Sequence, residues 1–249
     1  MANGFDPRPG AAPSPVDGLG RADVAVDAGL RSYMLSVYNY MASGVLLTGI
    51  VALLFAKSGA VHSLFNPVTG GATGLAWLVM FSPFAIILVM NLGLNRISTA
   101  AAQALYWAFA TLMGISLSTI FLVYTEGSIA VTFFATSAAF LSLSLWGYTT
   151  KRDLSGFGTF LIMGLVGLIV AMFINMIWPS GPMTLAISAV GVLVFAGLTA
   201  FQTQRIKSLY FTVRGTELAR KWAIMGALTL YLDFINLFMF LLRFMGGRR

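Results

Sequence analysis

Seven stretches of about twenty residues, almost wholly apolar, recur along this chain, and they limit its fold more than any other feature. They run over roughly 33–56, 73–94, 103–124, 128–148, 157–178, 183–203 and 222–244. A hydrocarbon core about 30 Å thick takes about twenty helical residues at about 1.5 Å each. Inside lipid, only helices and closed barrels satisfy every backbone group. The stretches are therefore read as transmembrane helices, and the chain as an all-α integral membrane protein. Its composition agrees: only 9% of residues are charged, against about 25% in soluble domains.

The same composition excludes several chemistries. Cys is absent, and His62 is the single histidine, which removes thiolate and imidazole metal centres. No Gly-x-Ser-x-Gly and no Walker motif occurs. An intramembrane aspartic protease needs two carboxylates sharing a proton, and one acid lies inside a span. The chain is thus read as a non-enzyme, with no cofactor and no resident metal. A net charge of +7 is scattered between spans, which points away from nucleic acid and towards the bias that orients membrane proteins.

Residues 1–31 differ from the rest. They carry Pro7, Pro9, Pro13 and Pro15, the acids Asp6, Asp17, Asp23 and Asp27, and no apolar core of the secretory type. They are expected to form a disordered tail ahead of a transmembrane domain over 32–246. Counting Lys and Arg around the spans places Arg8, Arg21, Arg31, Arg96, Lys151, Arg152, Arg205, Lys207, Arg214, Arg220 and Lys221 on the side of this tail. Lys57, Arg243, Arg248 and Arg249 fall on the other side. The tail is accordingly expected in the cytoplasm and the C-terminus outside. A weaker alternative makes the last span re-entrant. The segment Arg205–Lys221 is read as a basic loop able to lie on an anionic leaflet. Connections as short as Thr125–Gly127 and Pro179–Pro182 imply antiparallel neighbours on either side.

Asp233 stands at the middle of the last span, and a carboxylate at that depth costs roughly 2.5–3.5 kcal/mol or more, so it marks a functional site by default. Gly226, Thr229, Asp233 and Asn236 share its helix face. Gln202, near the end of span six, is the second candidate, able to donate to a carboxylate or accept from a cation. Arg96, after span two, is a candidate counter-ion for Asp233. Thr229 and Asn236 are candidates for a polar seam beside it.

Tyr231-Leu-Asp-Phe-Ile-Asn-Leu-Phe238 resembles the last-helix signature of the Bax inhibitor-1 family. Tyr40-Met-Ala-Ser-Gly-Val-Leu-Leu-Thr-Gly49, Ala110-Thr-Leu-Met-Gly-Ile-Ser-Leu-Ser-Thr-Ile-Phe-Leu-Val-Tyr124 and Gly197-Leu-Thr-Ala-Phe-Gln-Thr-Gln-Arg-Ile-Lys207 agree with it in order and spacing, over about residues 30–245. The resemblance, to the bacterial branch, implies seven helices with six around the last. It implies an inner-membrane calcium leak, sensitive to pH through paired aspartates on helices six and seven, with calcium or protons as permeant ions and the lipid bilayer as surroundings. It also implies a membrane-embedded ATP-dependent protease as a partner, and so a second reading as a non-conducting regulator. Asp233 matches the helix-seven aspartate. The helix-six aspartate of a Tyr-Asp-Thr-Gln context is replaced, since the chain reads Phe201-Gln-Thr-Gln204. Two close carboxylates titrate as a coupled pair, so Gln202 implies altered pH gating.

Overall fold

The computed structural model describes residues 15–248, with side chains from Asp27 onward, and in it all seven apolar stretches are helical. The first begins well before the membrane. Helix α1 runs Pro15–Lys57, so the part of the expected disordered tail from Pro15 onward is instead a continuation of the first span. Residues 1–14 of that tail lie outside the described residues. Proline fits a first helical turn because its missing N–H has no partner there, and Ala22, Ala25 and Ala28 are strong helix formers.

The longer reason is tertiary. Leu30 and Tyr33 are buried. Tyr33 packs on Tyr210 with ring centroids 5.4 Å apart, and Gly29 lies where any side chain would meet the Tyr210 hydroxyl. Tyr210 belongs to α7, which runs Gly181–Val213 and so passes its expected end at 203. The two overruns pack on each other. What reads as a basic loop from Arg205 is therefore helix as far as Val213, and only residues 214–217 turn the chain, with Gly215 at φ 76°.

The overrun of α7 also holds the next connection. The Gln204 amide donates to Arg152 O (2.8 Å) and accepts from Leu154 N (2.9 Å). Lys207 Nζ donates to Tyr148 O (2.8 Å) and sits 4.9 Å from the centre of that ring. Asp153 Oδ1 accepts from Ser155 N (2.9 Å), and hydrogen bonding from the Ser155 side chain, then from its backbone, holds the Asp153 carboxyl below its ordinary range.

The other helices are α2 (Gly74–Gly93), α3 (Thr99–Leu117), the short α4 (Ile120–Val123), α5 (Glu126–Thr149), α6 (Ser155–Ile177) and α8 (Leu218–Met245). Thr73, Ser98 and Thr125 cap α2, α3 and α5, each accepting from the backbone N–H three residues on. The third span is interrupted at Ser118 and Thr119, whose hydroxyls bond Ile115 O (2.6 Å) and Ser116 O (3.0 Å) and so compete with the helical ladder.

Helix α8 is the central element, with 72% of its most apolar window buried against 11% for α6. Helices α1, α3, α5 and α7 pack on it directly, while α2 leans on α3 and α6 on α7 as an outer tier. The tight connection at Pro179–Pro182 does join packed neighbours, with Gly197 of α7 against Leu161 and Phe157 of α6. The one at Thr125–Gly127 does not. Phe238 and Leu242 of α8 pack among Ile120, Tyr124 and Ile129, which keeps α3 and α5 apart. The C-terminal end then closes on that same connection: Gly247 N donates to Ser128 Oγ (2.9 Å) and Thr125 N to Gly247 O (3.2 Å). The chain after α8 thus lies at the end of the bundle away from Arg31 and Lys151, and α8 crosses the bundle, which removes the re-entrant alternative.

Candidate ion site on the central helix

The face of α8 carrying Gly226, Thr229, Asp233 and Asn236 turns towards α7. Two close approaches set the register: Gly226 abuts Ile206, and Gly191 abuts Phe240. In an antiparallel pair this puts Gln202 level with Thr229, and Asp233 one turn deeper, level with Leu198 and Thr199. Asp233 is 5% exposed. Its Oδ2 is buried and has no hydrogen-bond partner. Thr199 cannot serve, because its hydroxyl donates to Phe195 O (2.8 Å) in its own helix.

Above Asp233 a polar cleft of about 430 Å³ opens between α2, α7 and α8. Gln202, Arg205, Ser208 and Thr212 line it from α7, Thr229 and Trp222 from α8, and Asn91 from the end of α2. Gln202 is half-buried. Thr229 donates to Met225 O (3.0 Å) and Asn236 Nδ2 to Leu232 O (2.8 Å), which leaves oxygen lone pairs on both for a ligand. The cleft and Asp233 together bring a carboxylate, an amide and a hydroxyl onto neighbouring turns of two packed helices. Asn236 lies one turn beyond Asp233, on the side away from the cleft.

Arg96 is not part of this arrangement. It is exposed in the turn after α2, and among the described residues no ion pair joins it to Asp233. The cation that does line the cleft is Arg205. Its signal is present in the chain as the spacing Gln202, Arg205, Ser208, Thr212, one face of a helix. That spacing has meaning only if α7 continues past residue 203.

Among the described residues no three His, Asp or Glu side chains converge. A divalent cation here would meet one carboxylate and neutral oxygens. Calcium prefers six to eight oxygens with several carboxylates, so this donor set suits brief occupancy. Beyond Asp233 towards the C-terminal end, α8 is packed tight by Leu237, Phe238, Phe240 and Leu242. The polar seams of α3 are satisfied elsewhere. Gln103 donates to Tyr40 Oη, Tyr106 to Tyr40 O (2.7 Å) and Thr111 to Trp107 O (2.9 Å).

Comparison with known proteins gives a consistent result. Residues 30–249 match the family model described as inhibitor of apoptosis-promoting Bax1. The chain is 46% identical over 223 residues to an uncharacterised protein of Rickettsia prowazekii, covering 90% of this chain and 92% of that one. It is 43% identical over 238 residues to the inner membrane protein YbhL of Escherichia coli, covering 94% of this chain and all of the relative (100%). An uncharacterised membrane protein of Streptococcus pyogenes is 34% identical over 225 residues, covering 88% and 94%.

Proposed function

The chain belongs to the Bax inhibitor-1 family, and on that premise we propose that it is a calcium leak of the bacterial inner membrane, not an enzyme, with its pH gating altered by Gln202. One observation carries the reading. Asp233 is buried with Oδ2 unpartnered, one turn below a polar cleft that contains Gln202. A carboxyl oxygen without a partner at membrane depth is costly unless a proton, a cation or water meets it. Conduction asks for a site that binds weakly enough to release its ion, and one carboxylate with an amide and a hydroxyl has that character. The packed segment beyond Asp233 corresponds to a closed state, in which the ion path is stopped by Leu237 and its neighbours.

The test is calcium efflux from proteoliposomes between pH 5 and 8. The native protein is expected to leak, and Asp233→Asn to lower the rate about tenfold by removing the one charged ligand. A leak that Asp233→Asn leaves unchanged would remove Asp233 from the path. No efflux above empty liposomes for either protein would end the channel reading.

A second reading, a non-conducting regulator of a membrane-embedded ATP-dependent protease, draws on a different feature. Ser32, Ser36, Asn39 and Ser43 form a stripe along α1 beside a broad groove that Trp107 also lines. Small polar residues of this kind let helices of membrane proteins approach and bond. Asn39→Leu is the discriminating change: it would weaken protease control in the regulator and leave efflux intact in the leak.

A further inference from the structure

Helices α1 and α5 both pack on α8, yet they part from each other. Among the described residues one hydrogen bond links them, between the Tyr38 and Ser144 hydroxyls. Elsewhere they leave three adjoining cavities of about 360, 370 and 350 Å³. Tyr38 and Leu141 line the first and second; Val45, Phe133 and Phe234 line the second and third. The three are therefore one groove running the height of the bundle. Phe234 of α8 lies on its floor. Arg31 stands at one mouth and Glu126 at the other.

We propose that the half of this groove next to Arg31 holds one acyl chain of an anionic phospholipid, with the lipid phosphate on the Arg31 guanidinium.

The lining supports a hydrocarbon occupant. Met34, Leu35, Met41, Leu141 and Phe140 supply the walls, and the Tyr38 and Ser144 hydroxyls are already bonded to each other. The length fits as well. Arg31 and Val45 are fourteen residues apart on α1, about 21 Å at about 1.5 Å per residue. One leaflet of a hydrocarbon core is about 15 Å deep, so a chain whose phosphate is at Arg31 is covered over its whole length.

The width argues against a protein helix. The Tyr38 and Ser144 oxygens meet at 2.5 Å across the groove, so at that level α1 and α5 stand too close for a helix about 10 Å across to enter between them.

The charges choose the headgroup and the leaflet. Arg31 is exposed at the mouth, and Lys151 and Arg152 follow α5 at the same end. Lys207, also there, is engaged by Tyr148 O. Of the acids at this end whose side chains are described, Asp27 is exposed one turn before Arg31, Glu217 is exposed at the start of α8, and Asp153 is held by Ser155 N. Glu126 is the charged side chain that lines the opposite mouth and Arg31 the one that lines this mouth, so the phosphate is assigned to the Arg31 end.

Native mass spectrometry of the full chain in detergent, titrated with dioleoyl phosphatidylglycerol or dioleoyl phosphatidylcholine, reads this directly. The native protein is expected to retain about fivefold more of the anionic lipid, the effect of one cation near a phosphate. Arg31→Gln should abolish the preference while keeping some binding of both lipids. Ala42→Trp, at an exposed position lining the middle third, should fill the groove and abolish both. If circular dichroism shows that this variant has lost helix, Leu145→Trp, exposed in the first third, takes its place. Equal retention of the two lipids by the native protein would overturn the proposal. So would full lipid retention by a folded groove-filling variant, or a dimer that the same variant disperses, which would make a second copy the occupant. None of these readouts depends on whether the protein conducts.

Discussion

Gln202 separates this chain from the two-carboxylate pattern that its family resemblance implies, and its position makes the consequence measurable. It lies level with Thr229, one helical turn from Asp233, on the packed face between α7 and α8. Gln202→Asp would place two carboxyl groups on neighbouring turns, where each disfavours ionisation of the other. In the proposed leak, native efflux is expected to follow the protonation of a single group, and Gln202→Asp efflux to spread over two steps, because repulsion between the carboxylates drives their protonations apart. The number of steps in efflux against pH distinguishes them; two steps in the native protein would show that another titrating group, not Asp233 alone, sets the response. Asp233 stands out in the chain itself, because a lone acid within seven apolar spans carries an insertion cost that every neighbouring position avoids, and the structure buries it. Arg205 was not legible as a cleft residue. Its stripe with Gln202, Ser208 and Thr212 crosses the point where hydropathy falls, and hydropathy marks the edge of lipid, not the end of a helix. Arg96 shows the converse: adjacency to the end of α2 in sequence says nothing about which way the turn after it faces.

At the scale of the helices, the chain discloses which segments are apolar and how long they are, and this was enough for all seven spans. Neighbour relations were less accessible. The link between α3–α4 and α5 is as short as the link between α6 and α7, yet only the second joins packed helices, because Phe238 and Leu242 of α8 occupy the space between the first pair. Glycines set the closest contacts, and they differ in kind. At Gly147 a side chain would run into the backbone carbonyl of Ala200, while at Gly226 it would meet only the movable side chain of Ile206. Gly147→Ala is therefore expected to destabilise by about 1–3 kcal/mol through overpacking. Gly226→Ala should be near neutral, since better helix propensity offsets a small shift of Ile206. Thermal unfolding in detergent checks both, and equal losses would mean that the α5–α7 contact is softer than described. Lys207→Met tests the overrun of α7 in the same way. Losing the bond to Tyr148 O at a half-buried site should cost about 1 kcal/mol, and it should loosen residues 150–154, visible as faster amide exchange there.

Across the whole molecule the distribution of charge acquires a geometry. Arg31, Lys151, Arg152, Arg205 and Lys207 gather at one end of the bundle, and so do the packed overruns of α1 and α7. Lys57 and residues 246–248 occupy the other, where Gly247 closes on Ser128 and Thr125. The relative placement follows from the fold, and the excess of cations is the ground for expecting the first end in the cytoplasm. Because the chain contains no cysteine, each engineered thiol reports on one position alone. Lys151→Cys is expected to react with a membrane-impermeant maleimide only after the inner membrane is opened, whereas Met245→Cys, exposed at the end of α8, should react in intact spheroplasts. Reaction of both thiols from the same side would contradict an α8 that crosses the bilayer. A full exchange of the two results would keep the fold and invert the protein, and with it the leaflet from which a lipid could reach Arg31 and the side from which an ion would first meet the cleft above Asp233.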